Sequence, residues 1–133
     1  MTPVNKIIRS CAYALKGLRH AYKSDKSFRM EVQYGLPVYL IVAYYCYPLL
    51  PWEIILLTLS YLLILIVELV NTAFEKMLDK IHPEQHEMIG QSKDIAAASV
   101  FVAFLFAVIV VSVLVATRLI EGSGSVLIEH TFV

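Results

Sequence analysis

Residues 62–94 read LLILIVELVNTAFEKMLDKIHPEQHEMIGQSKD, and the rest of the chain is arranged around them. The first part is an apolar helical stretch that carries an acid, Glu68, and an amide, Asn71. A polar turn follows and leads to Lys93 and Asp94, at the start of another apolar stretch. Ionisable groups inside a bilayer cost free energy, so their presence there indicates a function.

The composition is that of one integral membrane domain. Hydrophobic residues make up 59% of the 133 residues, and the mean hydropathy is +0.70, well above an ordinary soluble domain. The net charge of zero argues against nucleic acid as a partner. Seven of the eleven basic residues precede the first apolar run, which predicts a cytoplasmic N-terminus. These seven are Lys6, Arg9, Lys16, Arg19, Lys23, Lys26 and Arg29.

The hydrophobic pattern predicts an all-α membrane protein with one surface helix and three transmembrane helices. Residues 5–27 have a stripe of apolar residues on one side and a stripe of basic residues on the other, a pattern typical of a helix in the bilayer interface. The alternative is a soluble helix packed on a partner. Residues 29–50, 52–81 and 91–120 are predicted to span the bilayer, and residues 121–133 to form a flexible tail that starts with glycines and serines. The loop near Pro83 is then cytoplasmic. Three helices enclose little room for a polar site, which favours a homo-oligomer.

Four polar residues share one face of the second predicted span, at the helical spacings of three and four: Glu68, Asn71, Glu75 and Asp79. Phosphoryl transfer from a nucleotide needs Mg²⁺ on carboxylates, a cation for the phosphates and a base for the attacking hydroxyl. Lys93 offers the cation, and Glu68, the deepest acid, suits a base for a lipid hydroxyl. The chain has no GxxxxGK[ST] loop. Alternatively, these side chains only bridge helices by hydrogen bonds.

Four segments resemble the prokaryotic diacylglycerol kinase family, across about residues 6–118. They are AYALKGLRHAY (12–22), FRMEVQYG (28–35), VELVNTAFEKMLDKI (67–81) and PEQHEMIGQSKDIAAA (83–98). The resemblance implies a homotrimer with shared active sites that transfers the γ-phosphate of ATP, with Mg²⁺, to a lipid hydroxyl. It places the protein in the bacterial inner membrane, with its active site on the cytoplasmic side.

The resemblance also implies residue roles. Glu68 matches the catalytic base, and Asn71 a residue that orients the base or phosphate. Glu75 matches a metal ligand, and Asp25 stands where the family usually has a second metal-binding glutamate. The implied nucleotide-binding residues are Arg9, Tyr13, Asp79, Glu84, Gln85, His86, Lys93 and Asp94. The implied lipid-binding residues are Arg9, Lys16, Arg19, Glu31 and Glu68.

Some of these residues have plainer interpretations. Simple anchoring to lipid headgroups would explain Arg9, Lys16 and Arg19. His86 could be a solvated loop residue, and Glu31 could make a contact between helices. The FRxE segment that ends at Glu31 resembles the diacylglycerol branch of the family, so phosphatidic acid is the expected product. An undecaprenol kinase and a non-enzymatic oligomeric transporter or scaffold are the alternatives.

Overall fold

The structure, a computed structural model, describes residues 3–81 and 87–131, with side chains described as far as Gly122. The regular structure of this part of the chain is entirely helical, as predicted. In chain order the elements are α1 (Pro3–Ser24), α2 (Lys26–Met30), a π turn (Glu31–Gly35), α3 (Leu36–Tyr45), α4 (Pro51–Ile81) and α5 (Glu87–Thr131).

The first helix ends earlier than the predicted range of 5–27. Asp25 leaves the helical conformation, with φ −107° and ψ 123°, and its side chain accepts hydrogen bonds from the backbone N–H groups of Ser27 and Phe28. An aspartate in this conformation is a strong helix N-cap. It therefore ends α1 at Ser24 and starts α2 one residue later. Ala21 is the buried residue of α1.

The predicted span over 29–50 is a helical segment of three parts rather than one α-helix. The chain is helical from Lys26 to Tyr45, but a π turn separates α2 from α3. Pro37 lies in the first turn of α3 and has no N–H for the carbonyl four residues before it, Gln33, so a regular α-helix cannot continue through this point. Tyr61 of α4 donates a hydrogen bond from its hydroxyl to the Glu31 carbonyl at 3.2 Å. The wider turn is thus accommodated by a neighbouring helix.

Two helices are long and apolar enough to cross a bilayer, α4 and α5. Among the described residues no helix before α4 meets the same test. The helical segment from Lys26 to Tyr45 is divided by the π turn into parts that are each too short. The α5 helix also differs from its predicted bounds of 91–120. It starts at Glu87 and continues to Thr131, past the predicted linker. Glycine weakens a helix by only about 1 kcal/mol relative to alanine, and residues 121–131 contain no proline to stop it.

The core lies along the line where α4 packs against α5. One buried cluster contains Cys46, Leu57, Val110 and Leu114, and the next contains Ile64, Ala103 and Ala107. The two alanines present small side chains to Ile64, which permits a close approach of the two helices. The outward side chains of both helices remain exposed and apolar, for example Ile55, Ile66, Phe101 and Ile109.

Arg118 joins the helix ends on the side of the α3–α4 connection. Its guanidinium pairs with the Glu53 carboxylate at 2.6 Å and donates to the carbonyls of Cys46 and Pro48 at 3.0 and 3.2 Å. The Glu53 carboxylate also accepts from the Leu50 N–H at 2.7 Å, and Glu53 is only 1% exposed. A buried pair whose remaining donors and acceptors are satisfied in this way can be stable. It fixes α3, α4 and α5 at this end.

Candidate active site

The predicted site is centred on Glu68, which is buried at 6% exposure although it carries a carboxylate. It lies on α4 where that helix passes the junction of α1 and α2. Asp25, Glu31 and Glu75 are close enough for their charges to repel that of Glu68. Four acids from three parts of the chain thus meet in one region. Like charges gathered in a poorly solvated place are stabilised by a cation.

Asp25 has two sets of contacts, one on each carboxylate oxygen. Its Oδ1 accepts from the backbone N–H groups of Ser27 at 2.8 Å and Phe28 at 3.2 Å. Its Oδ2 contacts the hydroxyl of Thr72, a buried residue of α4. The same hydroxyl lies 2.9 Å from the backbone carbonyl of Glu68. Thr72 therefore links the carboxylate of Asp25 to the backbone of the α4 turn that carries Glu68.

Asn71 and Glu75 are joined on the next turn of α4. The Asn71 amide donates from Nδ2 to the Glu75 carboxylate at 3.0 Å. Its Oδ1 is buried and has no hydrogen-bond partner among the described residues. A buried carbonyl oxygen without a donor is costly. Asn71 is thus prepared to accept a hydrogen bond from a group outside the described chain, as a residue that orients a substrate would be.

The structure brings together the nucleotide-binding candidates Asp79 on α4 and Lys93 on α5, which form an ion pair. This pair connects the two helix ends that flank residues 82–86. Asp94 is exposed beside it. The other three candidates of this region, Glu84, Gln85 and His86, lie outside the described residues.

The candidate residues of α1 form an exposed group. The Arg9 guanidinium donates to the Tyr13 hydroxyl at 3.3 Å, and Arg9 and Lys16 lie 6.0 and 5.8 Å from the centre of the Tyr13 ring. Arg19 is exposed one turn further along. These contacts hold two cations next to each other, an arrangement that suits an anionic headgroup or phosphate.

A cavity of about 540 Å³ separates α1 from α4. Gly17 and Ala21 line it from α1, and Thr72 and Lys76 line it from α4. The cavity borders the site at Thr72, whose hydroxyl contacts Asp25. The four candidate residues of α1 are not among its lining residues.

Glu31 lies in the π turn and borders a second cavity, of about 380 Å³ and mostly apolar lining. The lining residues include Tyr34, Val38, Ile64 and Phe104. A side chain at Gly35 would come within 3.1 Å of the Glu31 carboxylate and 3.2 Å of the Tyr61 ring. Glycine thus lets the acid and the ring pack against the turn. Glu31 thus contacts another helix through its carbonyl and borders an apolar cavity, and its predicted role in lipid binding stays a prediction.

The residues present fit a magnesium ion that arrives with its nucleotide. In the described chain no three His, Cys, Asp or Glu side chains are placed to hold a metal by themselves. Mg²⁺ in nucleotide sites, however, is bound by one or two carboxylates and completed by phosphate oxygens and water. Asp25 and Glu75, both close enough to Glu68 for their charges to repel its own, are carboxylates of the kind that such an ion takes.

Sequence reasoning missed Thr72 and the capping role of Asp25. The cap had a signal, since an aspartate directly before a short helical run is a common N-terminus. Thr72 had none, because its partner Asp25 is 47 residues away. The contact of Lys76 with Ser24, one turn along from the Thr72–Asp25 contact, was equally unpredictable.

Comparisons of this chain with a family model and with known proteins agree on one family. The family model for prokaryotic diacylglycerol kinase matches residues 12–115. The diacylglycerol kinase of Escherichia coli (strain K12) is 39% identical over 111 residues, which cover 81% of this chain and 87% of that protein. The diacylglycerol kinase of Haemophilus influenzae is 39% identical over 102 residues, 77% of this chain and 85% of that protein. That of Pseudomonas aeruginosa is 33% identical over 102 residues, 77% and 81% of the two chains.

Proposed function

Because the chain belongs to the prokaryotic diacylglycerol kinase family, we propose that it transfers the γ-phosphate of ATP to the free hydroxyl of diacylglycerol. The product is phosphatidic acid. One observation beyond the family supports this most directly: the buried carboxylate of Glu68 lies among three further acids. A transporter can also hold buried acids, so the family is what favours phosphoryl transfer over that alternative.

In the proposed reaction Glu68 acts as the base. It accepts the proton of the lipid hydroxyl as that oxygen forms a bond to the γ-phosphorus. The bond from the γ-phosphorus to the bridging oxygen breaks, and ADP leaves with the electron pair. Glu68 follows directly on the apolar run of α4, which would bring it to the depth of a hydroxyl that comes from the bilayer. Asn71 orients Glu75 through its Nδ2, and its Oδ1 is an acceptor for a donor group of the substrate.

Asp25 and Glu75 are the residues that hold Mg²⁺ in this proposal. When bound, the ion offsets charge on the phosphates. Lys93 supplies a further cation. Its ion pair with Asp79 is partly exposed, with side-chain exposures of 36% and 64%, and such pairs contribute little to stability. Lys93 can therefore turn from Asp79 to a phosphate at small cost.

The membrane arrangement proposed from the sequence also draws support from the helices. The helical segment from Lys26 to Tyr45 has twenty residues, about 30 Å at 1.5 Å per residue. Together with α4 and α5 it would give three spans, with α1 on the cytoplasmic surface. Exposed small residues on α5, Ala97, Ala98 and Ser99, suit contact with another chain of a homotrimer in the inner membrane.

The test is phosphorylation of lipid by the purified chain with labelled ATP, with and without Mg²⁺. Vesicles containing diacylglycerol and vesicles containing undecaprenol are compared. We expect Mg²⁺-dependent labelling of diacylglycerol, and a loss of at least about a hundredfold in turnover for Glu68→Gln, because a positioned base contributes about 10²–10⁴-fold.

Glu121→Gln is the matched control, since it neutralises an exposed acid at the far end of α5 and should retain normal turnover. Labelling of undecaprenol alone would refute the acceptor assignment. Normal turnover by Glu68→Gln would refute the role of base, and absence of labelling with both lipids would refute the kinase proposal.

A further inference from the structure

We propose that Thr72 is a positioning residue whose hydroxyl orients the Asp25 carboxylate toward the divalent cation. The inference rests on the proposed role of Asp25 as a metal ligand. Thr72 does not contact the reacting groups through its side chain. It acts on them through Asp25.

The contacts of Asp25 determine how it can bind a cation. Two backbone N–H groups, of Ser27 and Phe28, occupy Oδ1. Oδ2 contacts the Thr72 hydroxyl and keeps one further lone pair. A cation bound through both oxygens would displace the N-cap of α2. Asp25 is therefore a ligand through Oδ2 alone, and the direction of that oxygen depends on Thr72.

The proton of the Thr72 hydroxyl has two nearby acceptors, the Asp25 carboxylate and the Glu68 carbonyl at 2.9 Å. A carboxylate is the stronger acceptor because it is ionised. Thr72 is only 6% exposed, so water cannot readily take its place. The hydroxyl is thus a buried donor that holds a charged group, a contact with a large expected effect on the site.

The junction of α1 and α2 meets α4 at a second contact one turn away. Lys76 of α4 donates from its ammonium to the Ser24 hydroxyl, directly before Asp25. Both of these side chains are exposed, so this contact is weaker than the buried one. Of the two, the Thr72 contact fixes the carboxylate itself, whereas the Lys76 contact fixes the neighbouring backbone.

The experiment measures metal binding without turnover. The full chain in lipid nanodiscs, with a non-hydrolysable ATP analogue, is titrated with Mn²⁺ and followed by electron paramagnetic resonance. Thr72→Val keeps the shape and removes the hydroxyl, and Thr72→Ser keeps the hydroxyl and removes the methyl group. Ser60→Ala is the matched control, because Ser60 is another buried hydroxyl on α4, bonded to Leu57 and Tyr39.

We expect Thr72→Val to raise the dissociation constant of Mn²⁺ about tenfold. Loss of a residue that orients a metal ligand typically weakens metal binding by about 10- to 100-fold, and tenfold is the lower end of that range. The Mg²⁺ concentration for half-maximal lipid phosphorylation should rise by the same factor, while the rate at saturating Mg²⁺ stays near that of the wild type. Thr72→Ser should restore Mn²⁺ binding to within about twofold of the wild type, and Ser60→Ala should not change it.

Three results would overturn the proposal. Unchanged Mn²⁺ binding in Thr72→Val removes the positioning role. Equal weakening in Thr72→Ser assigns the effect to the methyl group instead of the hydroxyl. Unchanged binding in Asp25→Asn, which keeps a capping side chain but loses the charge, shows that Asp25 is not a ligand. If Thr72→Val does not fold, Thr72→Ala replaces it with the same expectation.

The failure of the proposed function has a different result. Suppose that the wild-type chain phosphorylates neither lipid, while Thr72→Val binds Mn²⁺ more weakly than the wild type. That result refutes the kinase proposal and leaves the positioning role in place.

Discussion

Asp25→Glu is the substitution that best separates the two roles of this residue. The family resemblance predicts that it preserves or improves metal-dependent activity, because a glutamate usually occupies the position. For stability the structure predicts a loss. The Asp25 side chain accepts from the backbone N–H groups of Ser27 and Phe28. A glutamate is one methylene longer, and its carboxylate does not reach the first turn of its own helix in the same geometry.

The size of the effect follows from the loss of the cap. Losing an N-cap side chain costs about 1 kcal/mol, within a range of about 0.5–2 kcal/mol. For a chain of this size that corresponds to a fall in Tm of about 3–5 °C. Asp25→Asn should leave the Tm almost unchanged, since asparagine caps a helix as well as aspartate does. Its metal-dependent activity should nevertheless be lost.

The assay pairs thermal unfolding in detergent, without metal or nucleotide, with labelled-ATP phosphorylation over a range of Mg²⁺ concentrations. We expect Asp25→Glu to be less stable but to retain metal-dependent turnover, and Asp25→Asn to be stable but inactive. The reasoning is refuted if Asp25→Glu is as stable as the wild type while Asp25→Asn unfolds earlier, because the side chain would then stabilise the junction by its charge rather than as a cap.

Three other predictions concern other parts of the molecule. Arg118→Met should lower the Tm, because it leaves the buried Glu53 carboxylate without its cation. Thermal unfolding measures this, and an unchanged Tm would contradict it. Gly35→Ala should lower both Tm and turnover, because the added methyl group would come within 3.2 Å of the Tyr61 ring and displace that ring. An unchanged Tm would show that the ring moves aside freely. Lys93→Met should raise the KM for ATP several-fold and change stability by less than about 1 kcal/mol, so an unchanged KM would exclude Lys93 from the nucleotide site.

Much of the architecture could be read from local patterns. The all-helical fold and the family were predicted from the sequence and are confirmed. The spacing of Glu68, Asn71 and Glu75 correctly indicated one helical face, because helical periodicity is a property of the chain itself. The structure adds the hydrogen bond from Asn71 to Glu75, which is also a contact four residues apart.

The boundaries were less well predicted. The surface helix ends at Ser24 instead of residue 27, and the segment over 29–50 contains a π turn. The contact of the Tyr61 hydroxyl with the Glu31 carbonyl of this turn could not be predicted, because Tyr61 lies thirty residues away on another helix. The number of transmembrane spans, the trimer, the magnesium ion and the residue roles remain predictions.

By itself the sequence determined the main helical and apolar segments, and that acids interrupt an apolar helix, since periodicity and composition are local properties. It did not determine that α5 continues to Thr131. Only the tertiary structure decided what those acids contact. Asp25 reaches Thr72 across 47 positions, and Arg118 reaches Glu53 across 65. Each of these side chains had several partners compatible with its charge and spacing. The packing of α4 against α5 and against the α1–α2 junction selected one of them, because a buried polar group is stable only where a partner of matching geometry is within reach.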